Sequence, residues 1–488
     1  MWDSRKGCSV FQFSSDFLKS GWDVSPIDCS ISRPAAMQAF WGDRDRKYQG
    51  LPPFLSDSLP DSWGNKVFEQ WARENGIRRY SLNPLEKLAY IGRRGMGAFE
   101  FEPEATRSEE TGELLIQKLA DLAERIYSQR EDMSVVYDEN LSLQALYEIG
   151  TSAGGRQAKA IIAMDGKGQI RSGQTDLPPD FVHYIMKFDV DAEFGHPGTV
   201  LEMVYHDMAA VAGINMMPAR LMEVGGRRHY LTQRFDRIEG RKVHVQTLSA
   251  MNPAAESYED LMRTVRLLGI GKNEQTELFR QTVFNFLAGN TDDHNKNFSF
   301  MMAEDGIWHL APAYDLTFTM RSPSQEFPHC LSLRGKLSDV TIEDLVAFAK
   351  EEGISAPMRI IEEVMSGISK FYELCRLYRV PPYWIRFIGE ALRELAPEGY
   401  RSMFESREDT LKVSFEEDGI LFTDVRMETS EKGNVHLYAV SGGQEYRYVI
   451  SRGTPLAEKL RGQGMGNQTE EQLHELVRKF ILPKIRRT

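Results

Sequence analysis

The sequence predicts an α+β fold of two lobes, one β-rich and one mostly helical. Two observations carry this. Between about 150 and 240 the patterning is that of strands, in "AKAIIAM", "VHYIMKFDV", "ARLMEV" and "RHYLTQRFD", broken by one helix, "TVLEMVYHDMAAVAGI". From about 255 to 400 the pattern turns mostly helical. A small sheet with one helix, followed by a run of helices, fits segregated layers better than an alternating βαβ sheet.

The elements follow in order. Residues 1–110 read as a β-rich N-terminal subdomain of short strands and loops, with "CSVFQF" alternating and "GLPPFLSDSLPDSWGNKVFEQWARENG" opening in Pro-, Ser- and Asp-rich loop chemistry. Asp61 or Ser62 is placed to cap a helix carrying Val67, Phe68 and Trp71. Glycines punctuate the short apolar runs of "LAYIGRRGMGAFEFEP". Residues 111–240 hold the sheet, entered through the charged helix "SEETGELLIQKLADLAERIYSQRE", and residues 241–405 the helical lobe. Residues 406–488 return to strands, "LKVSFEEDGILFTDVRM", "NVHLYAV" and "QEYRYVI", and end in a basic helix; the sequence assigns them no role.

A chain of 488 residues is long enough for about three domains. With 41% apolar and 27% charged residues it has the composition of an ordinary globular protein with a sizeable core. The net charge of -12 argues against an autonomous nucleic-acid binder, which usually carries a basic face. Cys8, Cys29, Cys330 and Cys375 are scattered, without a CxxC pair or zinc-like spacing. They read as reduced thiols rather than a disulfide framework. The N-terminus lacks the apolar core of a signal peptide, and no run approaches the roughly 18–20 apolar residues of a membrane span. The expectation is a soluble, cytoplasmic protein with no membrane partner.

The chemistry concentrates in "FNFLAGNTDDHNKNFSFMMAEDGIWHLAPAYDLTFT". "FSFMM" and "IWHLA" are apolar strands joined by "AEDG", a hairpin turn. Pairing them brings Asn297, before the first strand, near Pro312, after the second. Because paired strands lie only about 4.8 Å apart, Asp315 then falls level with the loop of Asp292 to Asn297. An aspartate, an asparagine and a second aspartate in this order suit phosphoryl transfer. One carboxylate positions the acceptor hydroxyl, and the amide and the other carboxylate hold Mg²⁺ on the ATP phosphates. The plain alternative is a solvated loop of capping residues.

Upstream features weigh against that alternative. "EIGTSAGGRQAKAIIAM" places glycines and Lys159 immediately before a strand, where backbone N–H groups can approach phosphates. Lys187 stands in the apolar strand "VHYIMKFDV". A lysine buried there needs a partner, and an edge strand would instead let it point at water. Glu202, early in the next helix, is a candidate partner, and "LTQRFDR" puts Gln233 to Phe235 at a strand end where backbone groups can meet an adenine. Glycine loop, strand lysine, helix glutamate, connector, Asp…Asn loop and metal aspartate is the order of a two-lobed protein kinase.

The motifs "GLPPFLSDSLPDSWGNK", "GTSAGGRQAKA", "YIMKF", "QRFDR", "GNTDDHNKNFSF" and "PAYDL" resemble those of the HipA family, the kinase toxins of bacterial toxin–antitoxin pairs, over roughly residues 5–380. The resemblance implies a HipA-like, protein-kinase-like fold and a serine/threonine kinase dependent on ATP and Mg²⁺. By position it implies Asp292 as catalytic aspartate and Asn297 and Asp315 as Mg²⁺ ligands. Lys187 falls on the nucleotide phosphates and Gln233 and Phe235 beside the adenine. Lys159, Glu202 and His294 complete the nucleotide-binding set. It further implies autophosphorylation of Ser152 in the glycine loop, with Thr151 the adjacent hydroxyl. A phosphate there repels those of ATP and switches the kinase off.

The implied partners are a HipB-like helix-turn-helix antitoxin, through which alone DNA is contacted, and a protein substrate such as an aminoacyl-tRNA synthetase. The family's first N-terminal strand has no counterpart before "MWDSRKGCSVF", which places the true start upstream or leaves this edge truncated, and the strands after about 410 exceed the family pattern. Three other readings stand beside the kinase toxin. They are an ATP-binding regulator that assembles with a DNA-binding antitoxin, a small-molecule kinase, and a metal hydrolase built on Asp292, Asp293 and His294.

Overall fold

The computed structural model of the chain describes residues 1–32, 38–39, 47–77, 82–105, 116–127, 150, 156–173, 177–178, 180–190, 196–319, 328–404, 413–429, 434–463 and 470–486. The N-terminal part, expected to be β-rich, is mostly helical among the described residues: three short antiparallel strands, Trp2–Asp3, Cys8–Phe11 and Gln38–Ala39, stand beside the helical segments Ser15–Ser20, Pro53–Ser56 and Pro84–Ile91 and one longer helix. Helix α1 (Ser62–Glu74) follows, with Asp61 at its N-cap position. It buries Trp63, Val67, Phe68, Trp71 and Ala72, a three- and four-residue spacing that forms one apolar stripe. Helix α2 (Ile116–Tyr127) is the described part of the expected charged helix.

The central sheet is built from β1 (Lys159–Met164), β2 (Ile170–Ser172) and β3 (Val182–Lys187). After helix α3 (Gly198–Val211) come β4 (Ala219–Val224) and β5 (Arg227–Gln233). The order is β2-β1-β3-β5-β4, antiparallel throughout. Side chains alternate across it. Ala160, Ile162, Met186 and Leu231 join Trp63, Val67, Leu119 and Ala123 in one buried cluster, so α1 and α2 cover one face. Lys159 and Lys187, direct neighbours across the β1–β3 pair, lie in alternation with that set and face the other side, towards α3.

Strand β6 (His244–Thr247) leads into the second lobe. Helices α4 (Tyr258–Leu267) and α5 (Lys272–Ala288) precede a hairpin of β7 (Ser299–Met302) and β8 (Trp308–Leu310). The hairpin pairs Phe300 with Leu310 about a turn at Gly306, as the two apolar runs predict. Sequence patterning did not mark β6 as its third strand, pairing Thr247 with Ser299, because four residues hold too little alternation. Helices α6 (Ile342–Glu351), α7 (Pro357–Ile368), α8 (Phe371–Leu377) and α9 (Pro382–Leu395) complete the lobe. Its core gathers Tyr205, Phe279, Phe284, Phe300 and Phe348.

A four-stranded antiparallel meander follows, of β9 (Val413–Glu417), β10 (Ile420–Thr429), β11 (Val435–Ser441) and β12 (Gln444–Ile450). Helices α10 (Pro455–Gln463) and α11 (Glu470–Phe480) accompany it. It has its own core, with Phe422, Leu437, Val477 and Ile481 at the centre.

Candidate active site

Lys187 ends β3, an interior strand, so the edge-strand reading does not apply. Its ammonium group donates to the carboxylates of Glu202, on α3, and Asp315, after β8. All but 8% of the Lys187 side chain and 6% of Glu202 is buried, whereas Asp315 keeps 31% exposed. Burial works against the Lys187 charge, yet the two carboxylates prevail and hold its pKa above the ordinary lysine value. Burial pulls the Asp315 carboxyl upward, but Lys187 and Lys159 overcome it and bring the pKa down to about 2. Glu202 is pushed upward by burial and by the neighbouring Asp315 charge, against the pull of Lys187.

Lys159 stands directly opposite Lys187 in the sheet, 3% exposed, and like charges at that spacing repel. Burial lowers its pKa, while Asp315, Asp61 and Glu202 support the charged form. Two cations and three acids thus meet where the lobes face each other. Asp315 itself has φ +54°, in the left-handed region that a non-glycine residue adopts at a cost of about 1–3 kcal/mol. Aspartate tolerates this better than most residues, and the turn swings its carboxylate onto Lys187.

The loop after α5 begins at Gly289, the left-handed residue that ends the helix. Asp292 and Asp293 then part company. Asp293 is 1% exposed and accepts from the Tyr258 hydroxyl at 2.5 Å, from the Cys330 N–H at 2.7 Å and pairs with His329 Nδ1 at 2.8 Å. It is an anchor, and Tyr258 is held in turn by the Asn285 amide at 3.1 Å. Asp292 leaves 57% of its side chain in solvent, with its N–H donating to Thr319 Oγ1 at 3.1 Å. Asn297 Nδ2 donates to the Asp292 carbonyl at 2.7 Å, and the Asn297 N–H to the His294 carbonyl at 2.8 Å. The Tyr314 hydroxyl donates to the Lys296 carbonyl at 2.7 Å, tying the loop to the segment that carries Asp315.

His294 Nε2 lies 3.9 Å from Asp292 Oδ1, and its ring charge would act on Asp315. Gln233 is the last residue of β5, opposite Tyr184 of β3. Phe235 leans on Tyr314, ring centroids 5.9 Å apart, at the point where the chain leaves the sheet. That exit is fixed by the buried Arg234–Asp236 pair, at 2.7 and 2.8 Å, which also accepts the Gly97 N–H of the N-terminal part at 2.7 Å. Lys187, Glu202, Asp315 and Lys159 thus form one charged cluster, Tyr314 ties the segment of Asp315 to the loop of Asp292 and Asn297, and Gln233 and Phe235 stand where β5 ends. Ser152, Thr151 and most of the glycine loop lie outside the described residues.

Sequence reading missed the N-terminal contribution to this site. Asp57 accepts from the Thr247 N–H and Oγ1, both at 2.9 Å, and Asp61 acts on Lys159 and Lys296. The motif containing both acids was visible, but local pattern assigned them only to a loop and a cap.

Among the described residues no group of three or more His, Cys, Asp and Glu side chains is placed to hold a metal. Asp293 is committed inward, to Tyr258, His329 and the Cys330 N–H, and so parts from Asp292 and His294. Mg²⁺ on a nucleotide takes one or two hard protein oxygens, with phosphates supplying the rest. The Asp315 carboxylate and the Asn297 amide oxygen are oxygens of that chemical kind.

Fold and site define a class: a two-lobed, kinase-like α+β protein. The chain belongs to the HipA family, with residues 1–102 matching the HipA N-terminal domain and residues 151–371 the HipA-like C-terminal domain. A curated relative, "Putative kinase Y4mE" of Sinorhizobium fredii, is 25% identical over 385 residues, 72% of this chain and 83% of that protein. Among solved structures, HipA of Shewanella oneidensis MR-1, in complex with HipB and its operator DNA, superposes with a TM-score of 0.51 at 18% identity. That match covers 84% of this chain and 92% of that one, and the likeness is one of fold. The Helicobacter pylori kinase CtkA matches with a TM-score of 0.32 at 14% identity, over 47% of this chain and 87% of its own. Both domain matches end before the C-terminal meander. No described helix is long and apolar enough to cross a membrane.

Proposed function

We propose that this protein is a serine/threonine protein kinase, dependent on ATP and Mg²⁺, acting as the toxin of a toxin–antitoxin pair. The observation that carries the reading is the Lys187–Glu202–Asp315 cluster beside the Asp292–Asn297 loop. Bound Mg²⁺ would neutralise charge developing on the transferred phosphoryl group. Asp315 and Asn297 would hold it through their oxygens, and Lys187, released from Asp315, would turn to the phosphates. Gln233 and Phe235 would border the adenine. Asp292, solvent-facing and turned away from its anchored neighbour, would accept the acceptor hydroxyl's proton as it attacks.

An open groove of about 530 Å³ lies beside His294 and Asn295, lined also by Glu256, Cys330 and Ser332, and offers a protein segment a way to Asp292. The acceptor we favour is a translation protein such as an aminoacyl-tRNA synthetase, with self-phosphorylation at Ser152 as the off switch. A helix-turn-helix antitoxin of the HipB kind is the proposed partner and the route to DNA. The test is intact-mass and peptide mapping after incubation with Mg²⁺ and ATP, beside Asp292→Asn. One added phosphate on the Thr151–Ser152 peptide, absent in the variant, is expected. ATP binding with no phosphate on this or any added protein would refute the kinase.

A further inference from the structure

Asp292 depends on its main chain for its place. Its side chain stands largely in solvent and makes no hydrogen bond among the described residues, with His294 Nε2 3.9 Å away. An acid with that freedom serves as a general base only if its backbone keeps it within reach of the acceptor hydroxyl. The backbone is held on both sides. Asn297 Nδ2 donates to the Asp292 carbonyl at 2.7 Å, and the Asp292 N–H donates to Thr319 Oγ1 at 3.1 Å.

Thr319 takes more than that one bond. Its Oγ1 also accepts the Thr291 N–H at 2.7 Å and lies 3.1 Å from the Thr291 hydroxyl. The Thr319 N–H donates to the Gly289 carbonyl at 3.2 Å. One residue thus holds Gly289, Thr291 and Asp292, the path from the end of α5 to the acid. Asn290, between them, turns back to Asn285 through its N–H at 3.0 Å and its side-chain amide at 2.9 Å.

Thr319 is itself well seated. Its neighbour Phe318 is buried in the core of the helical lobe and meets Phe387 of α9 edge-on, ring centroids 5.8 Å apart. A β-branched side chain is stiff at χ1, so the hydroxyl stays on the loop without further support. Asp315 lies four residues upstream in the same segment, next to the buried Leu316. The segment therefore carries one acid of the site and holds the backbone of the other. We propose that Thr319 is the positioning residue of Asp292: its hydroxyl sets the base in register with the proposed metal ligand Asp315. The inference rests on the kinase reading and adds to it the group that aims the base.

The experiment uses the full chain with Mg²⁺ and ATP. It follows phosphate gain by intact mass, on the chain itself or an added protein, beside ATP affinity by calorimetric titration and thermal unfolding. Thr319→Val keeps the shape and the N–H to Gly289 but removes the acceptor oxygen. It is expected to slow transfer at least about tenfold, within the roughly hundredfold that a 1 Å misplacement costs, and to leave ATP affinity unchanged. Thr319→Ser returns the oxygen on a less rigid side chain and should recover most of the rate. Transfer by Thr319→Val at the wild-type rate would overturn the proposal and leave the kinase standing. So would a loss that serine does not repair, or equal losses of rate and ATP affinity. A fall in the unfolding midpoint large enough to account for the slower transfer would make Thr319 a prop of the fold only, and would overturn it too. Wild-type protein that transfers no phosphate would sink the kinase reading, and this role with it.

Discussion

Lys187→Met is the perturbation whose outcome the structure constrains most tightly. Methionine fills the volume of the lysine stem but removes the ammonium group shared by Glu202 and Asp315. Glu202, 6% exposed, is left as a buried carboxylate facing another acid. Breaking a buried pair by removing one partner costs about 3–5 kcal/mol, and the solvent access of Asp315 argues for the low end, about 3 kcal/mol. At roughly 2–4 °C per kcal/mol, the transition of these lobes should fall by roughly 6–12 °C at neutral pH.

The pH dependence gives the sharper check. In the wild type the Asp315 pKa is lowered from 3.8 to about 2, so its contribution is full above pH 3.8 and is lost as pH falls towards 2. Without Lys187 the sign reverses. With Lys187 gone, Lys159 is the one lysine still opposing burial and the mutual repulsion of the two carboxylates, so their pKa values rise and their ionisation opposes folding as pH rises. The gap between variant and wild type should therefore be widest near pH 7.5 and narrow as pH falls towards 5, where the variant's pair takes up a proton. Thermal unfolding followed by calorimetry across that range measures it. An unchanged midpoint at pH 7.5, or a gap that widens on acidification, would refute the reasoning.

Three further outcomes are expected. Asp292→Asn should lower kcat by at least about a hundredfold, the range of general-base loss, with ATP affinity unchanged in titration. Asp293→Ala should act on the fold instead, costing about 3 kcal/mol in thermal unfolding because the Tyr258 hydroxyl, His329 and the Cys330 N–H lose their acceptor. Ser152→Ala should abolish self-inactivation in a time course of ATP turnover while attack on a protein acceptor continues. If the variant gains phosphate at the unchanged rate and place, Thr151 or another hydroxyl is the switch.

Periodicity sufficed where a residue's role is local. The alternation of "VHYIMKFDV" and the apolar runs about "AEDG" predict strands that the structure contains, and the hairpin they form sets Asp315 beside the Asp292–Asn297 loop. The same argument could not tell Asp292 from Asp293. Adjacent in an extended stretch, they point opposite ways, and only the positions of Tyr258, His329 and Cys330, 35 to 37 residues distant, decide which is buried. Lys187 was ambiguous for a similar reason, since one strand's pattern does not reveal whether it lies at an edge; the order β2-β1-β3-β5-β4 does.

By itself, then, the sequence determined the elements and the kinase-like order of lysine, glutamate, aspartate and asparagine, because those follow from side-chain spacing along the chain. Tertiary structure alone decided the electrostatics. Lys159 and Lys187 become neighbours by strand register, Glu202 reaches Lys187 from a helix, and Trp63 reaches the Lys159 carbonyl from a separate N-terminal part, 96 residues earlier in the chain. Coulomb energy depends on distance through space and on exclusion of water, and neither can be read from separation along the chain.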